Sequence, residues 1–401
     1  MKKHLVIISG VIYPAPSPTG LCSLHYASLL RDEYDIEFVA MSNNGKEERV
    51  VYYGFPVHTL TSKQLATEYK ATGILRKLIH LYGSSQLKIS ILGNLGWYVK
   101  AAYKELENIQ RVRSIDTLLT VCSPFPAHIA GAKFKKAHPE VWFGAYTVDP
   151  FASSDRIRPL FRNFEDFVKL EHSISRQADC LFLSEEAIES RQDLYGDIVQ
   201  KVALPYILPE TSEVISSAFD KGYIHCVYAG SFYKDIRNPE YMLKVFSALS
   251  NKKIILHLYS AGCDDLVCRY AYQSAQILHH GYVSQDELQL VYGSCDFLVG
   301  VGNAVMDFLP SKTYEYLALR RPIVFFNPNG FDNEVLKKYP HSLQIADDVD
   351  VKDAVARFEV FVGSEKGKTI SKKELYSLYE KNTPAYVKEV LINGLNGNNN
   401  G

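Results

Sequence analysis

The sequence predicts an α/β protein of two doubly wound, parallel-sheet domains, and three observations carry that expectation. The chain has 401 residues, more than one hydrophobic core usually organises. Short apolar runs of strand length alternate with helical patterns almost throughout, as parallel strands joined by crossover helices do. The alternation then stops at "LPYILPETSE" (204–213), which has two prolines and no periodicity, and restarts beyond it.

In the first half the strand runs are "HLVIIS" (4–9), "IEFVAM" (36–41), "DTLLTV" (116–121), "WFGAYTV" (142–148) and "CLFLS" (180–184), with helical stretches such as 23–32, 97–109 and 164–177 between them. In the second half they are "IHCVYAG" (224–230), "IILHLYS" (254–260), "HHGYV" (279–283), "DFLVGVG" (296–302) and "PIVFF" (322–326). Ser284 and Glu287 have the spacing of a capping box and start the helix after 283. The implied organisation is an N-terminal Rossmann-like domain over 1–205, a linker at 206–213 and a C-terminal Rossmann-like domain over 214–371. A last helix at 372–393 is able to cross back to the first domain, and a low-complexity tail at 394–401 is read as disordered. Ligands of such sheets sit at the carboxyl ends of the strands, so two facing sheets place the expected site in the cleft between them.

Composition excludes several classes. Forty-four basic residues against 45 acidic ones give a net charge of −1, which offers no global field for nucleic acid. Seven scattered cysteines without a CxxC pair read as buried free thiols in a reducing compartment, with no zinc site. "MKKHLVIISG" imitates a signal peptide but fits a first strand better, and no apolar run reaches the ~18–20 residues that span a bilayer. "DVD" (348–350) opens a helical stretch, so capping explains it better than metal binding.

The stretch "DFLPSKTYEYLALRRPIVFF" (307–326) reads as a helix start, a short helix, a basic turn and a strand. Pro310 suits a helix entry. Ser311, Lys312 and Glu315 project on one side of the first turn, while Tyr314, Leu317 and Ala318 can pack on the sheet. Free N–H groups and Lys312 would seat a phosphate, and Glu315 could accept hydrogen bonds from a ribose diol. Spacing alone favours a plainer reading, an i,i+3 ion pair worth roughly 0.2–0.5 kcal/mol.

A resemblance changes that balance. "HHGYVSQDELQLVYGSCDFLVGVGNAVMDFLPSKTYEYLALRRPIVFF" (279–326) resembles the donor-binding half of GT-B glycosyltransferases of the family 4 type, with Asp307 and Glu315 as the acidic pair parted by seven positions. "TVCSPFPAHIAGAKFKKAHPEVWFGAYTVDPF" (120–151) and "LEHSISRQADCLFLSEEAIE" (170–189) extend it into the first half. The resemblance implies a GT-B fold and a retaining transferase that moves a sugar from a nucleotide-sugar donor, UDP- or GDP-linked, to a glycan or lipid-linked acceptor. It implies a role in polysaccharide or cell-envelope biosynthesis at the cytoplasmic face of the membrane, with neither a metal nor another cofactor. A non-catalytic GT-B subunit and a nucleotide-sugar epimerase are the rival readings.

Residue by residue, the resemblance puts Glu315 on the ribose and Asp307 near the donor sugar or its phosphate. In "YAGSFYKDIRNPEYMLKVF" (228–246), Ser231 stands where the family has an Arg and Arg237 where it has a Lys, with Lys234 either a loop substitute or, more in keeping with its place, a solvated loop charge. Gly20 matches a glycine loop after the first strand. Tyr282, in "HHGYV", either stacks on the nucleobase or is an ordinary core tyrosine. Asp149, after a strand end, either orients an acceptor hydroxyl as a base or caps a turn before Pro150. His128, at the start of a helix in "PFPAHIAG", either faces the cleft or, as a lone histidine more often is, is structural. Residues 63–104 hold seven Lys/Arg and one acidic residue. Over 70–92 this suggests peripheral contact with an anionic membrane, and from Trp97 onward a helix packed on the sheet.

Overall fold

A computed structural model describes residues 2–63, 66–67, 96–122, 125–148, 150, 152, 164–198, 200–211, 219–304, 312–330 and 332–397. The chain forms two compact units, Met1–Tyr206 with Pro384–Gly401, and Ile207–Thr383.

Among the described residues the first unit holds an eight-stranded sheet: β1 (Lys3–Val11), β2 (Tyr34–Met41), β3 (Arg49–Tyr52), β4 (Phe55–Leu60), β5 (Thr117–Cys122), β6 (Trp142–Thr147), β7 (Cys180–Leu183) and β8 (Lys201–Ala203). Their spatial order is β3-β4-β2-β1-β5-β6-β7-β8. Every neighbouring pair is parallel except β3–β4. The central strands are buried almost end to end, which explains their continuous apolar runs. The β3–β4 hairpin escapes sequence reading because Pro56 interrupts β4 and the flanking run is short. Its turn is made by Tyr53 and Gly54, both at positive φ (50° and 80°), the backbone of a two-residue hairpin. Trp97 packs against the first core and Tyr98 is fully buried, as expected for a helix lying on the sheet. The stretch 70–92 lies outside the described residues.

In place of one helix over 372–393 the chain makes two, Lys372–Leu378 and Pro384–Leu395. Pro384 cannot donate to a preceding turn, so it ends the first arrangement and opens the second helix. Pro384–Leu395 packs on the first unit's sheet. A Cβ on Gly394 would sit 2.5 Å from the Phe182 ring, and one on Gly144 would sit 3.3 Å from Leu395. The helix reaches Leu395, inside the stretch read as a tail, and 398–401 lie outside the described residues.

The second unit holds β9 (Ile224–Ser231), β10 (Ile254–Ala261), β11 (Ile277–His279), β12 (Phe297–Val301), β13 (Ile323–Asn327) and β14 (Ser342–Ala346), ordered β11-β10-β9-β12-β13-β14. All neighbouring pairs are parallel. The order 3-2-1-4-5-6 is that of a Rossmann sheet, whose direction reverses between the first and fourth strands. The strand expected over 279–283 ends instead at His279, because Gly281 turns the chain at φ 73°. Ser284 and Glu287 form the expected capping box of the helix Gln285–Ser294. Asp350 accepts the Lys352 N–H (2.8 Å) and caps the helix Val351–Glu365, as the capping reading of "DVD" requires.

Four of the cysteines are buried, Cys22 and Cys263 are half-buried, and Cys268 is exposed on a helix, so the expectation of uniformly buried thiols fails there. Among the described residues, no helix is long and apolar enough to cross a membrane.

Substituting Gly394→Val should drive a branched side chain into the Phe182 ring and destabilise the first unit by about 1–3 kcal/mol, measured as a lower urea midpoint with an unchanged slope.

Candidate functional site

The second unit's strand order reverses between β9 and β12, and the chain following these strands carries Ser231, Lys234, Arg237, Lys312 and Glu315. Ser231 is the last residue of β9. The loop after it is closed by reciprocal backbone bonds, Arg237 N–H to the Tyr233 carbonyl (2.8 Å) and Tyr233 N–H to the Arg237 carbonyl (3.2 Å). Arg237 donates through Nε and Nη2 to Asn303 Oδ1 (3.1 and 2.9 Å) and through Nη1 to the Ser231 carbonyl (3.5 Å). The guanidinium therefore ties the end of β9 to the chain leaving β12. Lys234 stands exposed in the same loop.

Lys312 and Glu315 open the helix Lys312–Ala318. Lys312 Nζ lies 2.5 Å from Glu315 Oε2, and the two side chains are only 25% and 21% exposed. The ion pair of the plainer reading exists, but it is set into the protein rather than on its surface. Tyr314, Leu317 and Ala318 are buried, on the side the spacing assigns to packing. Burial works against the Lys312 charge, but the Glu315 carboxylate outweighs it and holds the ammonium above its ordinary pKa. Lys312 Nζ also lies 6.0 Å from the centre of the Tyr292 ring. Burial pushes the Tyr228 hydroxyl up despite the opposing pull of Arg237 and Lys312, so at neutral pH it is a protonated donor. The resulting cluster at the carboxyl edge presents two cations, one carboxylate and phenol donors.

Tyr282 is 73% exposed, which rules out the core-tyrosine reading. Gly20 lies in the first turn of the helix Pro18–Leu30, where its N–H is accepted by Ser17 Oγ (3.1 Å). A side chain there would collide with the Val11 carbonyl, so glycine is demanded by close backbone approach. His128 is 1% exposed and bonded to Thr120 Oγ1 (2.7 Å) and Thr147 Oγ1 (3.1 Å). Burial drives it to about 3, and as a neutral ring it links β5 to β6, a structural role. Asp149, Asp307 and Ser311 lie outside the described residues.

No family model and no curated protein matches the sequence. Solved structures do. A sucrose-phosphate synthase from Thermosynechococcus elongatus aligns over 98% of this chain and 94% of its own at 12% identity and TM-score 0.62. An α,α-trehalose-phosphate synthase (UDP-forming) from Burkholderia vietnamiensis aligns over 99% and 100% at 11% and 0.65. The Anabaena protein HepE, in a complex with UDP and glucose, aligns over 98% and 100% at 10% and 0.63. The fold is GT-B.

In this GT-B chain, sequence reasoning missed the residues that brace the site. Tyr316 Oη accepts the Ala229 N–H (3.1 Å), which pins the helix Lys312–Ala318 to β9. Asn303 holds Arg237. Neither has a sequence signal beyond its spacing. In the first unit, Glu171 is 1% exposed; its carboxylate accepts the Ala152 N–H (2.6 Å) and the Tyr195 hydroxyl (2.8 Å). It fixes the chain three residues beyond Asp149. A signal existed there, since Glu171 interrupts the apolar stripe Phe167–Glu171–Ile174 of its helix.

Removing the Tyr316 hydroxyl with Tyr316→Phe leaves the buried Ala229 N–H unpaired. The second unit should lose about 1–3 kcal/mol, read by chemical denaturation, whereas Tyr282→Phe at the exposed position should cost less than about 0.5 kcal/mol.

Proposed function

We propose that this chain is a glycosyltransferase of the family 4 type, transferring a sugar from a nucleoside-diphosphate donor to a glycan or lipid-linked acceptor in polysaccharide or cell-envelope assembly. The observation that carries the reading is the half-buried Lys312–Glu315 pair, whose lysine acts on the same Tyr228 hydroxyl as Arg237. Donor binding exchanges the partners of that pair: the diphosphate takes Lys312 and the ribose hydroxyls take Glu315. Each charge keeps a counterpart or hydrogen bonds, so neither is left buried and alone. Arg237 and the Tyr228 hydroxyl add donors for phosphate oxygens.

In this reading the second unit binds the donor and the first binds the acceptor. Asp307 is assigned to the donor sugar or its phosphate, and Asp149 to the attacking hydroxyl. The leaving phosphate takes the proton of that hydroxyl, the anomeric configuration is retained, and no metal takes part. A peripheral place on the inner membrane face, through 70–92, belongs to the same proposal. HepE's complex with UDP and glucose and the UDP-forming synthase support a UDP-linked donor.

Calorimetry with UDP tests the reading. Lys312→Ala and Glu315→Ala should each weaken binding ~10–100-fold, the loss of about 1.5–3 kcal/mol that charged hydrogen bonds supply, and Lys234→Ala should not. Unchanged affinity in both would refute the donor site. Normal binding without transfer to any acceptor, or hydrolysis of donor, would favour a non-catalytic subunit.

A further inference from the structure

Three imidazoles form a continuous chain across one face of the second sheet, ending at the turn that carries Tyr282. His225 Nε2 lies 2.7 Å from the Asp220 carbonyl, His225 Nδ1 lies 2.9 Å from His257 Nε2, and His257 Nδ1 lies 3.0 Å from His280 Nε2. His225 is 7% exposed and His257 4%. Phe219 stacks on both rings (4.5 and 4.2 Å between centroids), and Tyr259 stacks on His280 (4.6 Å).

Hydrogen-bond chemistry gives this chain one direction. A carbonyl only accepts, so His225 donates from Nε2, and in an uncharged ring Nδ1 then accepts. His257 must then donate from Nε2 and accept at Nδ1, which forces His280 to donate from Nε2. Uncharged rings satisfy the chain only as three Nε2–H tautomers, and the network rather than any single ring sets that assignment.

We propose that His225, His257 and His280 form a proton-triggered latch. In its neutral state it holds the Phe219–Tyr223 segment, β9, β10 and the turn His280–Ser284 together. A proton taken up by His257 places a charge on a ring that is 4% exposed and covered by Phe219, which the closed chain disfavours and the open chain does not, so uptake opens the link. The turn then loosens, and with it the amino end of the helix Gln285–Ser294.

Among the described residues, the carboxylates near the rings are already engaged. Asp296 is occupied by the His225 backbone N–H (2.8 Å), and Asp220 presents its carbonyl. The Tyr223 and Tyr259 rings flank the imidazoles. His279 lies beside Cys268 Sγ (3.8 Å) and the Ser260 carbonyl (3.3 Å). Burial, with His280 and His225 adding to it, drives His257 down to about 3, and burial with His279 lowers His280. The sign follows. The closed chain excludes protons that the open chain binds near the ordinary imidazole value, so the latch is fully stabilising above ~6.5 and weakens as the pH falls below it. Opening should rise ~10-fold per pH unit for each imidazole that protonates.

Hydrogen exchange on the full-length protein, with long-range proton–nitrogen spectra of the imidazoles, tests this. At pH 7.5 all three rings should show the Nε2–H pattern. Between pH 7.5 and 5, opening of 277–284 should rise by at least tenfold relative to Phe297–Val301, after correction for intrinsic exchange. His280→Asn should show raised opening at pH 7.5 already, with a flattened pH response, and His279→Gln should respond like the unaltered chain. Mixed tautomers, a rise shared equally by Phe297–Val301, an unaltered response in His280→Asn or a lost response in His279→Gln would each overturn the latch.

Discussion

A lysine and a glutamate facing each other at the start of one short helix are the constraint around which the second unit is arranged. Partly exposed pairs of this kind contribute on the order of 0–1 kcal/mol, while an apolar residue at the half-buried position of Glu315 would remove surface from water at roughly 25 cal/mol per Å². Stability alone therefore gives little reason for a carboxylate there. A pair that can change partners does: each charge is kept neutralised in the empty site and becomes available when a ligand carries the complementary group.

Holding such a pair in place requires rigid surroundings, and the fold provides them through contacts from neighbouring strands. Tyr316 reaches back to the Ala229 amide, Arg237 spans from Ser231 to Asn303, and Tyr228 stacks on Phe232 at 4.3 Å. These contacts join the carboxyl ends of β9 and β12 where the sheet reverses. The helix itself has only seven residues, so side chains rather than an extended helix dipole provide most of the charge at the site.

The parts legible in the sequence were those governed by local rules. Alternating apolar runs gave the two parallel sheets, the Ser284–Glu287 spacing gave a helix start, and the period of 312–318 gave its buried face. What remained hidden depends on tertiary partners. The β3–β4 hairpin is masked by Pro56, and the end of β11 depends on Gly281 adopting a positive φ. Cys268 lies on an exposed helix face although its neighbours read as apolar. Tyr316 and Asn303 matter only because Ala229 and Arg237, more than 60 positions away in sequence, come to them. Glu171 was detectable, as an acid in an apolar stripe, but its partner Ala152 was not.

A crystal structure of the chain grown with UDP measures the exchange of partners directly. The account predicts ribose hydroxyls within hydrogen-bond distance of the Glu315 carboxylate and a phosphate oxygen on Lys312 Nζ, with the 2.5 Å contact between the two side chains lengthened. Nucleotide bound elsewhere while that contact stays closed would contradict it.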